Sequence, residues 1–585
     1  MIRRDWFSPG REWFSPTRGW ISPATVALLA LLATVTSIGH DFTFDDVYVI
    51  MTNDRVHHLA GVWKLFAQSY WPPNLGGDGY RPVVMVLFAL QWAAGGGAPW
   101  LFHFVNVLLA IASALAVYWC AVAVLPRTAA CVSAALFAIH PVHVEVTGNV
   151  VGQLELLVAI CLCLSVGIYL RARRAGPLRA SHIVAILILF TVALLTKEHA
   201  IVLPAILIAA EWTVLRDVPW REQGRDVRLL VLLLGLSAAC YLYVRGLILP
   251  EFTGFTPHPV FTYLKMGTLP RIATMMNEIP RIAQLLVFPV RLSADYTPGD
   301  VVISQGPELI QLPGLFISIG VTLLAVALRD RARVASFGLL WLIIAFLPVS
   351  NLIVPAGFVT AERTLFFPSV GVVLVAGAIV EQVTMRARRA EQWTLATAVS
   401  VLLVLGLARS VDRQKAWTDN DTLFPQTVLD QPNGYRAHFM YGRYLAIHNR
   451  PREMEQEFKH ALRLFPYDVS MVLDIGSMYY RVGLCEPANA LLGWAYDIEP
   501  TATNGRYAYA RCLAKTERWN EARDATLQAM RMLPGRQLPR LRRALAEADS
   551  ALGRPHHELP KFPTLPQTAT DPAKTRNATS GGRGT

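Results

Sequence analysis

Long apolar blocks fill this chain as far as residue 410, and beyond it the hydrophobic positions fall at the 3.6-residue spacing of surface helices. A bilayer crossing takes about 20 predominantly apolar residues. The uncharged stretch 22–39 meets that need, and further spans are expected near 103–124, 128–147, 150–170, 181–196, 200–215, 229–248, 312–328, 334–354, 365–385 and 392–410, about eleven in all. Two shorter apolar runs, Val83 to Ala94 and Ile279 to Val290, are expected to dip into the membrane surface without crossing it.

Short basic clusters orient these spans. They fall at Arg3, Arg4, Arg11 and Arg18; at Arg171, Arg173, Arg174 and Arg179; at Arg216, Arg221, Arg225 and Arg228; at Arg329, Arg331 and Arg333; and at Arg386, Arg388 and Arg389. If all lie in the cytoplasm, an even number of crossings separates each cluster from the next, which places residues 1–21 in the cytoplasm. Everything after residue 411 then lies on the opposite side, with the loops around 40–100, 140–150, 197–199, 249–311 and 355–364. The first apolar stretch is too long for a signal-peptide core and has no small-residue cleavage site.

The C-terminal part repeats. Pro432, Pro466, Pro500 and Pro534 recur every 34 residues, and the registers Gly442, Gly476, Ala510 and Ala461, Ala495, Ala529 keep the same step. That period, with small residues at a helix crossing and Pro at the closing turn, is the tetratricopeptide signature. A tetratricopeptide α-solenoid is therefore expected over 411–553, closed by a capping helix at 536–553, with a disordered tail over 554–585. The sequon Asn577-Ala578-Thr579 falls in that tail.

Composition agrees with a membrane protein carrying a water-soluble appendage: 53% of the 585 residues are hydrophobic and 16% charged. The net charge of +12 does not imply a nucleic-acid partner, because the arginines sit between apolar spans where topology accounts for them. Seven cysteines are too few and too scattered for a disulfide framework, so packing is their expected role, with a Cys485–Cys512 bond the less favoured reading of that pair.

Charge at the end of a span is costly and therefore informative. Asp45 and Asp46 follow the first span directly, where two carboxylates point to acid/base chemistry at the lipid surface or, more blandly, to a helix cap. His140, His143 and Glu145 end the third span, and Glu155 opens the fourth. Lys197, Glu198 and His199 turn a later hairpin, Arg81 precedes an apolar run, and Glu362 and Arg363 precede the tenth span. Pro141 interrupts the helical geometry that His140 and His143 would need as metal ligands, so no metal site is expected. Together these side chains suggest a substrate site holding an anion beside the carboxylates.

The same stretches carry a resemblance. FDDVYVI from Phe44, YRPVVMVLFAL from Tyr80, FHFVNVLLA from Phe102, HPVHVEVTGNVVGQLELL from His140, LTKEHAIVLP from Leu195, RLSADYTPG from Arg291 and FLPVSNLIVPAGFVTAERTLFFPSVG from Phe346 resemble the transmembrane and tetratricopeptide-repeat protein O-mannosyltransferases. These are relatives of the wider C-type (GT-C) glycosyltransferases. The resemblance covers most of residues 40–375 in order, and the repeat array is a second, separate match. Where that family carries Gly-Arg-Ala-Asp, this chain has Gly152-Gln153-Leu154-Glu155.

The resemblance implies an all-α, GT-C-like membrane domain over 22–410 that moves a sugar, mannose in the family, from a polyprenyl-phosphate donor to a protein hydroxyl with inversion. Asp45 or Asp46 would accept the hydroxyl proton, with Asp46 favoured and Asp45 as its hydrogen-bonding neighbour. Arg81, Lys197 and Arg363 would hold the leaving phosphate without a metal, while His140, His143, Glu145, Glu155, Glu198 and Glu362 would line the substrate site. The repeats would hold the acceptor and do no chemistry. The Ala- and Arg-rich composition points to a bacterial inner membrane, although an endoplasmic reticulum would share the topology. A non-catalytic membrane receptor and a lipid-linked sugar flippase or ligase are the competing readings. The receptor leaves the convergence of polar motifs unexplained, and a flippase would carry its charges through the bundle midplane.

Overall fold

Proline placement decides much of the helix pattern. A computed structural model describes residues 21–554 apart from 73–76, 250–259, 262, 263, 265, 387 and 534–536. The N-terminal arginine cluster, Pro534 and the tail lie outside the described residues. The described chain is helical, without a strand but with the isolated bridges Tyr296–Thr360 and Pro298–Val301. It divides into two compact units, Met1–Tyr467 and Asp468–Thr585.

In the first unit seven described helices are long and apolar enough to cross a membrane, and eight if the bent pair Arg127–Ala138 and Pro141–Gly148 is one span. The chain is a multi-pass integral membrane protein. The seven are Ser22–Gly39, Pro99–Ala121, Val150–Ala175, Gly224–Ile248, Leu309–Ala327, Ser369–Arg386 and Ala390–Trp417. Three of the expected spans are shorter than a crossing by this measure. Ala180–Thr196 and Arg333–Val349 are apolar but brief. The segment near 200–215 splits into a 3₁₀ turn, Glu198–Val202, and a 10-residue helix, Leu203–Trp212. Pro204 explains that break, because a ring with no N–H fits the first helical turn but not the interior. Pro141 likewise sits at the 49° bend of the 127–148 pair.

The two runs expected to dip form the helices Pro82–Gly95 and Thr268–Val287. The second is longer than its apolar run and buries Ala273, Met275, Ile282, Leu285 and Leu286 on one side.

Pro99–Ala121 and Gln153–Ala175 pack on each other at the heart of this unit. Small side chains there, among them Ala110, Ala114, Ala121 and Ala159, let the backbones approach. Facing outwards are Leu232, Phe316 and Val404, each about two-thirds exposed, as suits side chains solvated by lipid. The crossing of Arg333–Phe346 with Ser369–Arg386 is closer still, since a Cβ on Gly371 would run into Gly338 O. Gly371→Val is therefore expected to destabilise the bundle by about 1–3 kcal/mol or more, through overpacking. Thermal unfolding in detergent would measure it, and a wild-type midpoint would remove the close crossing from the account.

The last span leads through Asn420–Asp430 to the helices Tyr435–Ile447 and Pro451–Leu464, which pack together and complete the first unit. The boundary between units thus falls after the first 34-residue repeat, not after the last span. In the second unit Val469–Arg481 packs on Cys485–Ile498, Arg506–Lys515 on Trp519–Met532, and Leu538–Ala551 closes the row. The registers Gly442, Gly476, Ala510 and Ala461, Ala495, Ala529 are buried in these helices. Cys485 and Cys512 are disulfide-bonded, against the packing role expected of the cysteines. They start one helix and lie within the next, so the bond staples neighbouring pairs that a linear spacing does not reveal.

Candidate functional site

Charged side chains from the ends of several helices meet in the first unit around the turn that follows Ser22–Gly39. Phe44 takes a left-handed backbone, φ +50°, and its N–H donates to Asn420 Oδ1 at 3.0 Å. The neighbouring Asp41 N–H donates to Thr418 O at 2.8 Å. The Phe44 ring lies 6.3 Å from that of Trp417, edge to face. The turn carrying the two aspartates is thus fixed by the segment after the last span.

The two aspartates do different things. Asp46 is fully buried, and both its oxygens are taken: Val151 N–H donates to Oδ1 at 2.8 Å, Val150 N–H to Oδ2 at 3.0 Å, and Thr43 N–H to Oδ2 at 3.4 Å. It acts as a clamp between the first turn and the start of Val150–Ala175. Asp45 is half-buried and accepts no hydrogen bond among the described residues. Burial pushes its carboxyl above the usual range, while the charges of Arg363, Arg436, Arg81 and Lys197 pull it back down.

Each of those four cations has its own carboxylate. Arg363 donates through Nη1 to Glu145 Oε1 and through its backbone N–H to Glu145 Oε2 at 2.7 Å. Lys197 donates to Glu155, and His199 Nε2 lies 3.4 Å from the other oxygen of that carboxylate. Arg81 grips Glu198 with Nε at 3.2 Å and Nη2 at 2.7 Å, and stacks over the Tyr70 ring at 4.8 Å. Burial would raise the Glu198 carboxyl, but the Arg81 guanidinium wins and holds it at about 2. Arg436 Nε stands 3.8 Å from Asp295 Oδ1. Four paired cations therefore surround one carboxylate that has no hydrogen-bonded partner among the described residues.

Arg363 is the most accessible of the three expected phosphate contacts, with 26% of its side chain exposed against 13% for Arg81 and 11% for Lys197. Its Nη1 and backbone N–H serve Glu145, leaving side-chain donors to spare, since a guanidinium carries five.

Other expected site residues belong to the frame. His143 is buried between Phe137 and Phe366, with Nδ1 2.9 Å from Phe137 O and Nε2 2.9 Å from Ser369 Oγ. His140 is held by Leu286 O at 3.0 Å and by Val142 N–H at 3.3 Å. Glu362 is buried and accepts from Tyr296 O–H and Ser293 N–H, each at 2.6 Å, which ties down the 293–296 loop. Both ring nitrogens of each histidine and one oxygen of Glu362 are thereby occupied, which suits support and not direct contact with a sugar. Gln153, at the position of the family's Arg, exchanges hydrogen bonds with Gln91 at 2.9 and 3.1 Å. Among the described residues no group of three or more His, Cys, Asp or Glu side chains is placed to hold a metal ion.

Sequence reasoning passed over Asp295 and Arg436. Asp295 stands in the quoted stretch RLSADYTPG, where the only signal was an acid between two small or aromatic residues. Arg436 opens a helix of the repeat part, where an arginine reads as ordinary surface charge.

The architecture and this cluster define a multi-pass membrane protein with a cluster of paired charges at one end of its spans. Its sequence is similar to that of protein O-mannosyl-transferases, in agreement with the resemblance carried by the motifs. It is 26% identical over 520 residues to the human protein O-mannosyl-transferase TMTC1, covering 80% of this chain and 58% of that protein. It is 28% identical over 478 residues to human protein O-mannosyl-transferase TMTC4, covering 72% and 63%. The chain thus spans about three-fifths of the length of these curated relatives. No family model matches it. Among solved structures, the archaeal oligosaccharyltransferase AglB from Archaeoglobus fulgidus aligns at a TM-score of 0.44 and 14% identity, over 78% of this chain and 60% of that one.

Proposed function

We propose that the chain is a membrane glycosyltransferase that moves a sugar, with mannose the first candidate, from a polyprenyl-phosphate carrier to a protein hydroxyl with inversion. The observation that carries this reading is Asp45: a carboxylate with no hydrogen-bonded partner among the described residues, surrounded by four cations, each already paired with its own carboxylate. Such an arrangement suits a base that must take a proton while charge builds on a neighbouring phosphate.

Asp45 accepts the acceptor's hydroxyl proton as that oxygen attacks the anomeric carbon from the face opposite the carrier. The bond to the phosphate oxygen breaks, and the released phosphate charge is met by the spare N–H groups of Arg363, supported by Lys197 and Arg81. A base of this kind contributes about 10²- to 10⁴-fold in rate. Asp46, engaged by three backbone N–H groups, holds the base's turn in place and does not share its role.

The finer architecture belongs to the same proposal. Eleven crossings, with 1–21 in the cytoplasm, put the site and residues 411–553 on the outer side of a bacterial inner membrane or an equivalent compartment. The Cys485–Cys512 bond supports an oxidising surrounding for the second unit. The paired helices at a 34-residue step support a tetratricopeptide solenoid, which holds the acceptor protein and raises its effective concentration. The relatives named protein O-mannosyl-transferases support the reaction class.

The test is transfer by the purified full chain from a polyprenyl-phosphate mannose to a Ser/Thr peptide in lipid nanodiscs, read by the mass gain of the peptide and the anomeric configuration of the product. An inverted glycosyl peptide is expected. A product retaining the donor's configuration would sink the single-displacement mechanism, and no transfer from any of a panel of polyprenyl-phosphate sugars would sink the reaction class.

A further inference from the structure

The helix Tyr435–Ile447 opens the repeat part, yet it belongs to the same compact unit as the membrane spans. Three side chains one turn apart on it, Arg436, Met440 and Arg443, point towards the residues around Asp45. Arg436 pairs with Asp295 at 3.8 Å. Met440 packs on the cluster of Phe44, Val144, Ala294 and Trp417. Arg443 lies over the Tyr48 ring at 5.8 Å. Positions i, i+4 and i+7 share a helix face, so one face of this helix forms a wall of the site.

That wall is fixed. Tyr435 N–H donates to Pro298 O at 3.4 Å, and Asn433 Nδ2 lies 3.5 Å from Asp300 Oδ1. Gly299 takes φ +104°, and a Cβ there would run into Asn433 O, so the two loops touch backbone to backbone. Asp295 Oδ2 is buried and meets the geometric criteria for a hydrogen bond with none of the described residues, the Thr297 hydroxyl being its neighbour. The Arg436–Asp295 distance exceeds the 2.7–3.2 Å or so of a direct hydrogen bond, and a guanidinium with five N–H donors can serve more than one acceptor.

We propose that Arg436 and Asp295 bind the acceptor's main chain, the guanidinium donating to a peptide C=O and the carboxylate accepting from a peptide N–H, beside the hydroxyl offered to Asp45. This rests on the transfer reading above and extends it: the ligand is an extended peptide amide, read by one helix of the repeat part and one loop of the membrane part. A donor and an acceptor held side by side match the two edges of an amide, whereas a phosphate would find only one useful partner in the pair. Met440, one turn along the same face, packs on the cluster of Phe44, the residue before Asp45, which sets this amide site beside the turn of the base.

The experiment uses the full-length protein with a Ser/Thr peptide, and the same peptide N-methylated at the amide flanking the hydroxyl residue. Arg436→Gln is expected to raise the peptide KM by about 10-fold or more, the scale of a lost charge-assisted hydrogen bond. The donor KM should move less than twofold. Arg436→Lys should fall between the two, because it keeps the charge but not the paired donors. Wild type is expected to disfavour the N-methyl peptide, and Asp295→Ala to erase that discrimination.

Peptide binding without donor, followed by fluorescence anisotropy, gives the same comparison with no turnover and serves if one variant folds poorly. An unchanged peptide KM and binding constant in Arg436→Gln, or a donor KM that rises equally, would overturn the amide proposal. The transfer reading falls separately, if wild type fails to glycosylate the peptide or Asp45→Asn turns over normally.

Discussion

Asp45→Asn is expected to lower kcat for sugar transfer by ~10²-fold or more while leaving the fold intact, because it removes the proposed base, which accepts no hydrogen bond among the described residues. Asp46→Asn is expected to do the reverse. It weakens a carboxylate serving three backbone N–H groups, so stability should drop by about 1–3 kcal/mol, with kcat largely kept in the protein that folds. The pH profile gives an independent check. A base works only when ionised, so the rate should rise with pH through the Asp45 midpoint. Burial places that midpoint above the ordinary aspartate value. Arg436→Gln removes a charge that pulls the midpoint down, so the acid limb should move to higher pH in that variant. A wild-type limb at or below the ordinary aspartate value would contradict the burial argument.

Arg363→Ala is expected to cost about 3–5 kcal/mol, because it strands Glu145, whose side chain is only 2% exposed, without its counter-charge. Donor use should fail in the same variant, and the two effects can be pulled apart. Adding Glu145→Gln removes the stranded charge, so the double variant should recover stability without recovering donor affinity. Unfolding midpoints and donor titrations on wild type, both single variants and the double variant make the comparison. Donor affinity that returns together with stability would assign Arg363 to the frame alone.

Much of this was legible in the sequence, for reasons that also mark where legibility ends. Uninterrupted apolar runs such as 22–39 and 150–170 report a helix directly, because in lipid the backbone has no other way to satisfy its polar groups. The run containing Pro204 is read by hydropathy alone, which is blind to a missing N–H, and Pro141 is weighed against metal binding but not against the span it bends. The charged residues at span ends could be gathered into one cluster because topology brings alternate ends to the same side. Their division of labour could not be gathered that way. Asp45 and Asp46 are adjacent and chemically identical, and only the direction of Val150 and Val151 N–H separates the proposed base from the clamp. His140 and His143 are likewise plausible ligands until the carbonyls of Leu286 and Phe137 are seen to hold them. Arg436 lay hidden for another reason: its partner Asp295 is over a hundred positions away, and no local period links a repeat helix to a membrane loop.

The left-handed turn at Phe44 bears on the order of biosynthesis. An aromatic residue in that conformation costs of order 1 kcal/mol and does not hold it unaided. Its restraint comes from Asn420, 376 residues later in the chain, and from Trp417 beside it. During translation the first span and its aspartates are made early, but the turn that aims Asp45 is unsupported until the last span and the segment after it have emerged. A growing chain therefore carries Arg81, Lys197 and Arg363 before it carries the residues that brace the turn of Asp45. The turn at Phe44 is braced only when the two ends of the membrane unit close on each other.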